Sequence, residues 1–321
     1  MSLKAKAVQI NRKGASRSAL MLCCLALSFW TAYGWPAHAA DAGQNVTGDT
    51  IVLGRVSNNP RKHYAALDAL GAYIVKASDA FGHHETVLAR DNEQLIAFLQ
   101  AGMVDLVSET PFSAIVYERL AGATILLRQW KGGRSSYRTH FFTRKDSEIE
   151  RLEDLVGRLM AFEDPGSTSG FFVPKATIAA QGLSLEAASH AVRDDSVRYL
   201  FAESEVNAVV WVARGKADAG AVSDINWQDS SRAPPGLKKS LRLFHTTPAV
   251  VRSVMVAGPR LSDKQMSEIS AILVKMHEHD EGRATLKDFY KTTKFDKLVG
   301  EARVGLDHVR MLFDNIDLPD F

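Results

Sequence analysis

A chain of 321 residues with 39 Lys and Arg against 37 Asp and Glu carries a formal net charge of +2, and 46% of it is hydrophobic. That length allows one large or two moderate domains with a well-buried core, and the absence of a basic stripe or an aromatic stacking platform argues against a nucleic-acid binder. Both cysteines, Cys23 and Cys24, fall within one N-terminal apolar stretch, so the rest of the chain offers neither a disulfide framework nor a Cys-based zinc site.

Lys4, Lys6, Arg12, Lys13 and Arg17 precede the apolar run ALMLCCLALSFW, and Ala37-His38-Ala39 has the small-x-small form of a cleavage site. Residues 1–39 therefore read as a secretory signal peptide. Tyr33, Gly34 and Pro36 interrupt the apolar run short of the roughly 20 residues a spanning helix needs. Losing 39 of 321 residues leaves 282, and losing their five cations takes the net charge from +2 to −3.

From Ile51 onward, short β-rich runs alternate with amphipathic stretches, the pattern of an α/β fold. TIVLGRVS reads as a strand closed by NNPRKH, and Leu67, Leu70 and Ile74, with Phe81 beyond them, recur at helical spacing. EQLIAFLQ is a helix capped at Gly102, followed by the strand MVDLVS. A second series repeats the scheme: EIERLEDLVG as a helix, RLMAF as a strand, SGFFVPKATIAAQG as a helix and VRYLF as a strand. Ser204 caps the helix EVNAVVWVAR, the strand ADAGAVS follows, and RAPPGLKK is a loop. Past Pro248, AVVRSVMVAG is extended, and Ser262 with Gln265 forms a capping box for a helix lined by Met266, Ile269, Leu273 and Met276.

One internal echo stands out. A helix, Gly102-x-x-Asp105, a strand and Glu109 correspond to a helix, Gly215-x-x-Asp218, a strand and Asp224. Ligands of open α/β sheets sit at the carboxyl ends of strands, so Glu109 and Asp224 are either acids of a shared cleft or ordinary turn acids.

Gly166-Ser167-Thr168-Ser169-Gly170 crowds three hydroxyls between two glycines. A nucleophile elbow needs Ser at the centre, where Thr168 stands, and a P-loop needs Gly-Lys-Ser/Thr, whereas Phe171 follows Gly170. Two readings remain: simple N-capping, or an anion seat in which unpaired backbone N–H groups and the hydroxyls donate together. A micromolar ligand needs about −8 kcal/mol and a helix N-terminus supplies at most roughly 2, so other donors are required. Tyr137, Ser57, Thr110 and Phe112 occupy suitable loop edges. His83-His84-Glu85 and His277-Glu278-His279 lack HExxH spacing, and no metal site or Ser-His-Asp order is read from them.

At DLVGRLMAFEDPGSTSGFFVP the chain resembles the phosphate, phosphite and phosphonate periplasmic binding proteins of ABC importers. The likeness extends to VDLVSETPF, SYRTHFFTRKDSEI and GKADAGAVSD, and spans roughly residues 50 to 260. It implies a two-lobed type II periplasmic binding protein fold of class α/β, with a ligand cleft between lobes formed by residues 50–138 plus 251–321 and by residues 139–250. It also implies that Ser167, Thr168 and Ser169 hold the oxyanion, that Tyr137 assists from the crossover, and that Asp224 meets a ligand amine. Where the family reads Gly-Ser-His-Asp before a second-lobe helix, this chain has Glu203-Ser204-Glu205-Val206. Glu205 thus replaces an oxyanion donor with a carboxylate that either turns outward or favours a ligand with a positive group.

The expected protein is an exported, periplasmic, monomeric solute-binding protein that hands a small oxyanion to an ABC permease, without cofactor, metal or catalysis. The alternatives on the same fold are a periplasmic sensor and an exported hydrolase using Ser167 or Ser169.

Overall fold

The computed structural model describes residues 49–57, 59–188, 195–314 and 316. The expected signal peptide at residues 1–39 lies outside them. The chain begins with β1 (Thr50–Val56), α1 (Pro60–Ala77), β2 (His83–Ala89), α2 (Asn92–Gln100), β3 (Leu106–Glu109), α3 (Pro111–Ala121) and β4 (Thr124–Lys131), and then reaches a crossover strand, β5 (Ser136–Tyr137). Next come β6 (Thr139–Arg144), β7 (Leu159–Phe162), α4 (Val173–Ala179), β8 (Leu185–Ala187), β9 (Val197–Phe201), α5 (Glu205–Ala213), β10 (Ala219–Ser223), α6 (Asp224–Gln228), α7 (Pro235–Lys238) and β11 (Leu241–Thr246). The chain returns through β12 (Val250–Val251) to β13 (Val254–Ala257), α8 (Asp263–Lys275), α9 (Asp280–Asp288), β14 (Thr292–Lys297) and α10 (Glu301–Asp314).

Two six-stranded sheets result, ordered β14-β4-β13-β3-β1-β2 and β11-β6-β10-β7-β9-β8, with β12 and β5 paired antiparallel as a separate two-stranded sheet at the crossings. In the first, β1 lies parallel between β2 and β3, while β13 inserts antiparallel between β3 and β4. In the second, β7 lies parallel between β9 and β10, and β6 is antiparallel to β10. Each sheet is covered on both faces, which is why the central strands read as nearly continuous apolar runs. Ile51 and Leu53 enter one core and Val52 the opposite one, and Phe141 and Phe142 divide in the same way. Gly220 in β10 is required by packing, because a Cβ there would lie 2.6 Å from Phe142 Cζ.

One expected helix is much reduced. EIERLEDLVG forms only a 3₁₀ turn at Leu152–Leu155, although Ile149, Leu152 and Leu155 are all buried. Their three-residue spacing suits the tighter turn.

The echo between the two series has a structural cause. After Gly102, at φ +67°, the buried Asp105 carboxylate accepts from Val52 N–H at 2.8 Å and forms an ion pair with Arg260. After Gly215, at φ +73°, Asp218 accepts from Leu159 N–H at 2.9 Å. Each carboxylate fastens the start of one central strand to its neighbour.

The lobes also meet directly. Phe112 of α3 stacks on Phe172 with ring centroids 4.3 Å apart, Phe313 of α10 lies against both, and Val173 and Ala176 of α4 join the same core cluster.

Asp105→Ala leaves Arg260 uncompensated and is expected to lower the unfolding free energy by about 3 to 5 kcal/mol. Asp218→Ala loses a backbone contact and should cost about 1 to 3 kcal/mol. Urea midpoints at constant m-value measure both.

Candidate functional site

The strands β1, β3, β7 and β10 direct their carboxyl ends into one gap, where each sheet reverses its strand order. That is where open α/β sheets place ligands. The gap is a cavity of about 490 Å³. The first lobe contributes Arg55 and Val56 from β1, His63 from α1, Arg90 and Asn92 before and at the start of α2, Glu109 and Thr110 after β3, and Ser113 of α3. The second lobe contributes Glu163 to Ser169 except Pro165, with Glu205, Asn226 and Arg232, while Tyr137 and Arg252 enter from the crossings.

The hydroxyl cluster is a helix start of unusual form. Thr168–Phe172 is a π-helical turn, with Phe172 N–H bonded to Ser167 C=O at 2.9 Å, and α4 proper begins at Val173. Pro174 thereby falls in the first α-helical turn, where its missing N–H is no loss. Ser167 is the N-cap: its Oγ accepts from Gly170 N–H at 2.9 Å and donates to Glu163 Oε2 at 2.7 Å. Gly170 has no room for a side chain, since a Cβ would lie 2.7 Å from Glu163 Cβ. Thr168 Oγ1 accepts from Phe112 N–H of the other lobe at 3.1 Å. Tyr137 is bonded to the Thr168 and Ser169 side chains, and its phenol is pushed up to about 12, by burial first, against the field of Arg252.

Glu205 does not turn outward. It is 7% exposed, accepts from the Asn226 amide and meets the Glu163 carboxyl. Burial, followed by the charge of Glu205, pushes Glu163 up to about 8. Burial also raises Glu205, but Arg232, Asn226 and Arg252 favour its charged form, so the shared proton resides on Glu163. The pair thus presents one negative charge to the cleft rather than two.

Seven of the nine sequence-derived candidates line the cavity: Ser167, Thr168, Ser169, Tyr137, Glu109, Thr110 and Glu205. Asp224 and Ser57 lie outside the lining. The Asp224 carboxylate accepts from Arg138 N–H at 3.0 Å and Ile225 N–H at 2.9 Å, which makes it a turn acid that anchors the crossover. Ser57 accepts from Asn59 N–H and holds His63 through Nδ1 at 2.8 Å, so it acts behind the cavity wall. The four arginines, His63 and Asn226 were missed; each is a lone polar residue next to a strand or helix end. Glu163 stood in view as the acidic turn before the hydroxyls. Among the described residues no group of three or more His, Cys, Asp or Glu could hold a metal ion, and no helix is long and apolar enough to cross a membrane.

Two α/β lobes joined by paired crossing strands and facing each other across a polar cleft are the architecture of a periplasmic solute-binding protein. The chain belongs to the family of ABC-transporter phosphonate periplasmic substrate-binding proteins, which it matches over residues 56–301. It is 28% identical over 230 residues to the phosphate-import protein PhnD of Mycolicibacterium smegmatis, covering 67% of this chain and 70% of that one. Among solved structures it is similar to XAC2383 from Xanthomonas citri bound to chloride, with 30% identity, a TM-score of 0.77 and coverage of 84% of this chain and 100% of the other. The same Xanthomonas protein bound to ATP gives 28% identity and a TM-score of 0.75 at the same coverage. PhnD1 from Prochlorococcus marinus, in complex with methylphosphonate, shares the fold with a TM-score of 0.58 at 16% identity, over 84% of this chain and 100% of that one. The chain is the substrate-binding component of an ABC-type importer.

The raised Glu163 carboxyl makes stability depend on pH. Glu205, Asp164, Tyr137, Arg232 and Arg252 are the charged and titratable groups around it. Between pH 6.5 and 8 Glu163 is protonated in the fold and ionised in the unfolded chain, so stability falls as pH rises, by up to about 1.4 kcal/mol per pH unit. His63, lowered to about 4 by burial and Arg55, opposes this only below its ordinary 6.5, and Lys131, lowered to about 8 by burial and Arg252, only above 8. Glu163→Gln should flatten the decline, as read by urea unfolding across that window.

Proposed function

We propose that this binding protein captures a phosphorus oxyanion, phosphate, phosphite or phosphonate, between its lobes and presents the closed form to a membrane permease. The observation that carries the reading is a convergence of unused polar groups. Arg252 Nε and Thr110 Oγ1 are buried without a hydrogen-bond partner in the cavity wall, opposite the helix start at Thr168 and Ser169. Buried polar groups are normally satisfied, so a ligand oxyanion is the natural partner. Charge-assisted bonds from arginine then supply what a helix N-terminus alone cannot. Methylphosphonate, chloride and ATP, the ligands of the solved relatives, are all anions.

The β5 and β12 crossings form the hinge of this proposal, with residues 50–138 plus 251–321 and residues 139–250 moving as two bodies. Export through residues 1–39 delivers the protein to the periplasm, where it acts as a monomer. Ligand recognition requires no covalent step. With Asp224 outside the cavity, a ligand amine would instead meet Glu109, Asp164 or the singly charged Glu163 and Glu205 pair.

Thermal unfolding against phosphate, phosphite, methylphosphonate and sulfate tests the proposal. At 100 times its dissociation constant a ligand stabilises the fold by about 2.7 kcal/mol. A phosphorus oxyanion should raise the melting temperature, and Ser169→Ala together with Arg252→Gln should abolish the rise. No shift with any of these anions would refute it.

A further inference from the structure

Besides Arg252, the first lobe carries cations that the capture of one phosphate does not use: Arg55 and His63 line the cavity, and Lys131 stands against the same Tyr290 ring as they do. Arg55 lies with Cζ 4.6 Å from the centre of the Tyr290 ring, and Lys131 approaches the same ring with Nζ at 5.4 Å. His63 packs edge-on to that ring with centroids 5.8 Å apart. Tyr290 and Lys291 both hold φ of +56°, a strained arrangement for residues with side chains, and this backbone sets the ring among the cations. Arg252, placed over the Tyr137 ring at 5.1 Å, stands beside them.

Comparably buried arginines elsewhere have carboxylate partners: Arg128 with Asp296, Arg260 with Asp105 and Arg310 with Glu118. Among the described residues the salt bridges include none for Arg55, Lys131 or Arg252. Glu109 is the one carboxylate whose field opposes theirs at Lys131. The cations also weaken each other's protonation: Arg252 and Arg55 bear on Lys131, and Arg55, Lys62 and Lys131 on His63. Like charges gathered with little opposing charge beside them are held at a cost, which a bound anion removes.

We infer that Arg55, His63 and Lys131 around Tyr290, with Arg252 beside them, form a second anion subsite, and that the solute carries two linked phosphoryl groups, one at the hydroxyl helix start and one here. This rests on the phosphorus-oxyanion reading above and narrows it to a diphosphate-type group. The dimensions agree, since 490 Å³ is room for roughly sixteen waters at about 30 Å³ each, far more than one phosphate fills. Arg252 bridges the two halves: its field reaches Tyr137 and Glu205 on one side and Lys131 on the other.

Isothermal titration of the purified protein with phosphate, pyrophosphate, tripolyphosphate and ATP decides the matter. Pyrophosphate should bind about 100-fold more tightly than phosphate, the gain of a second set of charge-assisted contacts. Arg55→Gln and Lys131→Gln should each weaken pyrophosphate about 10-fold or more and phosphate far less. Equal affinity for phosphate and pyrophosphate, or equal losses for both in the two variants, would overturn the subsite and leave the phosphorus-oxyanion reading standing. Binding of none of the four would overturn the subsite, and the phosphite and methylphosphonate arms of the unfolding test then decide the phosphorus-oxyanion reading. Tripolyphosphate and ATP tell a free chain from a nucleoside-borne one, and tighter binding of either than of phosphate supports the subsite.

Discussion

Everything in the cleft depends on strand direction. β1 and β3 run parallel in one sheet, as do β7 and β10 in the other, and all four end at the same gap. Backbone leaving a parallel strand must turn at its carboxyl end, and short turns there carry whatever polar residues the chain supplies. Arg55 and Val56 close β1, Glu109 and Thr110 close β3, Glu163 to Ser169 follow β7, and Asn226 follows β10. The site is assembled from the ends of elements whose positions are set by apolar packing far from it.

Such a scaffold is legible in sequence to the degree that its signals are local. Apolar runs identify β1, β7, β9 and β10, and cap residues such as Ser204 and Ser262 bond to the N–H groups that their positions anticipate. The crowding of hydroxyls at Ser167 to Ser169 is equally local and lies in the cavity wall. Asp224 lies beyond what local signals carry. It repeats the position of Glu109, yet Arg138 N–H at the crossover, 86 residues away in the chain, and its neighbour Ile225 N–H claim its carboxylate. Arg55, Arg232 and Arg252 carry no pattern at all, because what makes them neighbours is the facing of two sheets. The segment at Leu152–Leu155 failed for another reason: an apolar spacing of three fits a 3₁₀ turn as well as a helix.

The balance of charge in the cavity follows from burial. Two carboxyls in contact cannot both ionise at modest cost, so Glu163 keeps a proton and Ser167 keeps its bond to it. Ser167 is thereby committed to fixing the turn, while Thr168 is engaged by Phe112 across the lobes. Ser169 is engaged by Tyr137, a phenol that can pass the hydrogen-bond chain on to a ligand, and the unpartnered Nε of Arg252 stands in the same cavity wall.

The stack of Phe112 on Phe172, with Phe313 behind it, joins the lobes by apolar contact. Aromatic pairs of this kind contribute about 0.5 to 1.5 kcal/mol beyond the surface they bury. Parting the lobes would expose that surface, so each opening carries the cost of separating these rings. The same rings that hold the lobes together thus set a threshold for any solute entering between them, and a smaller side chain at either position would lower it.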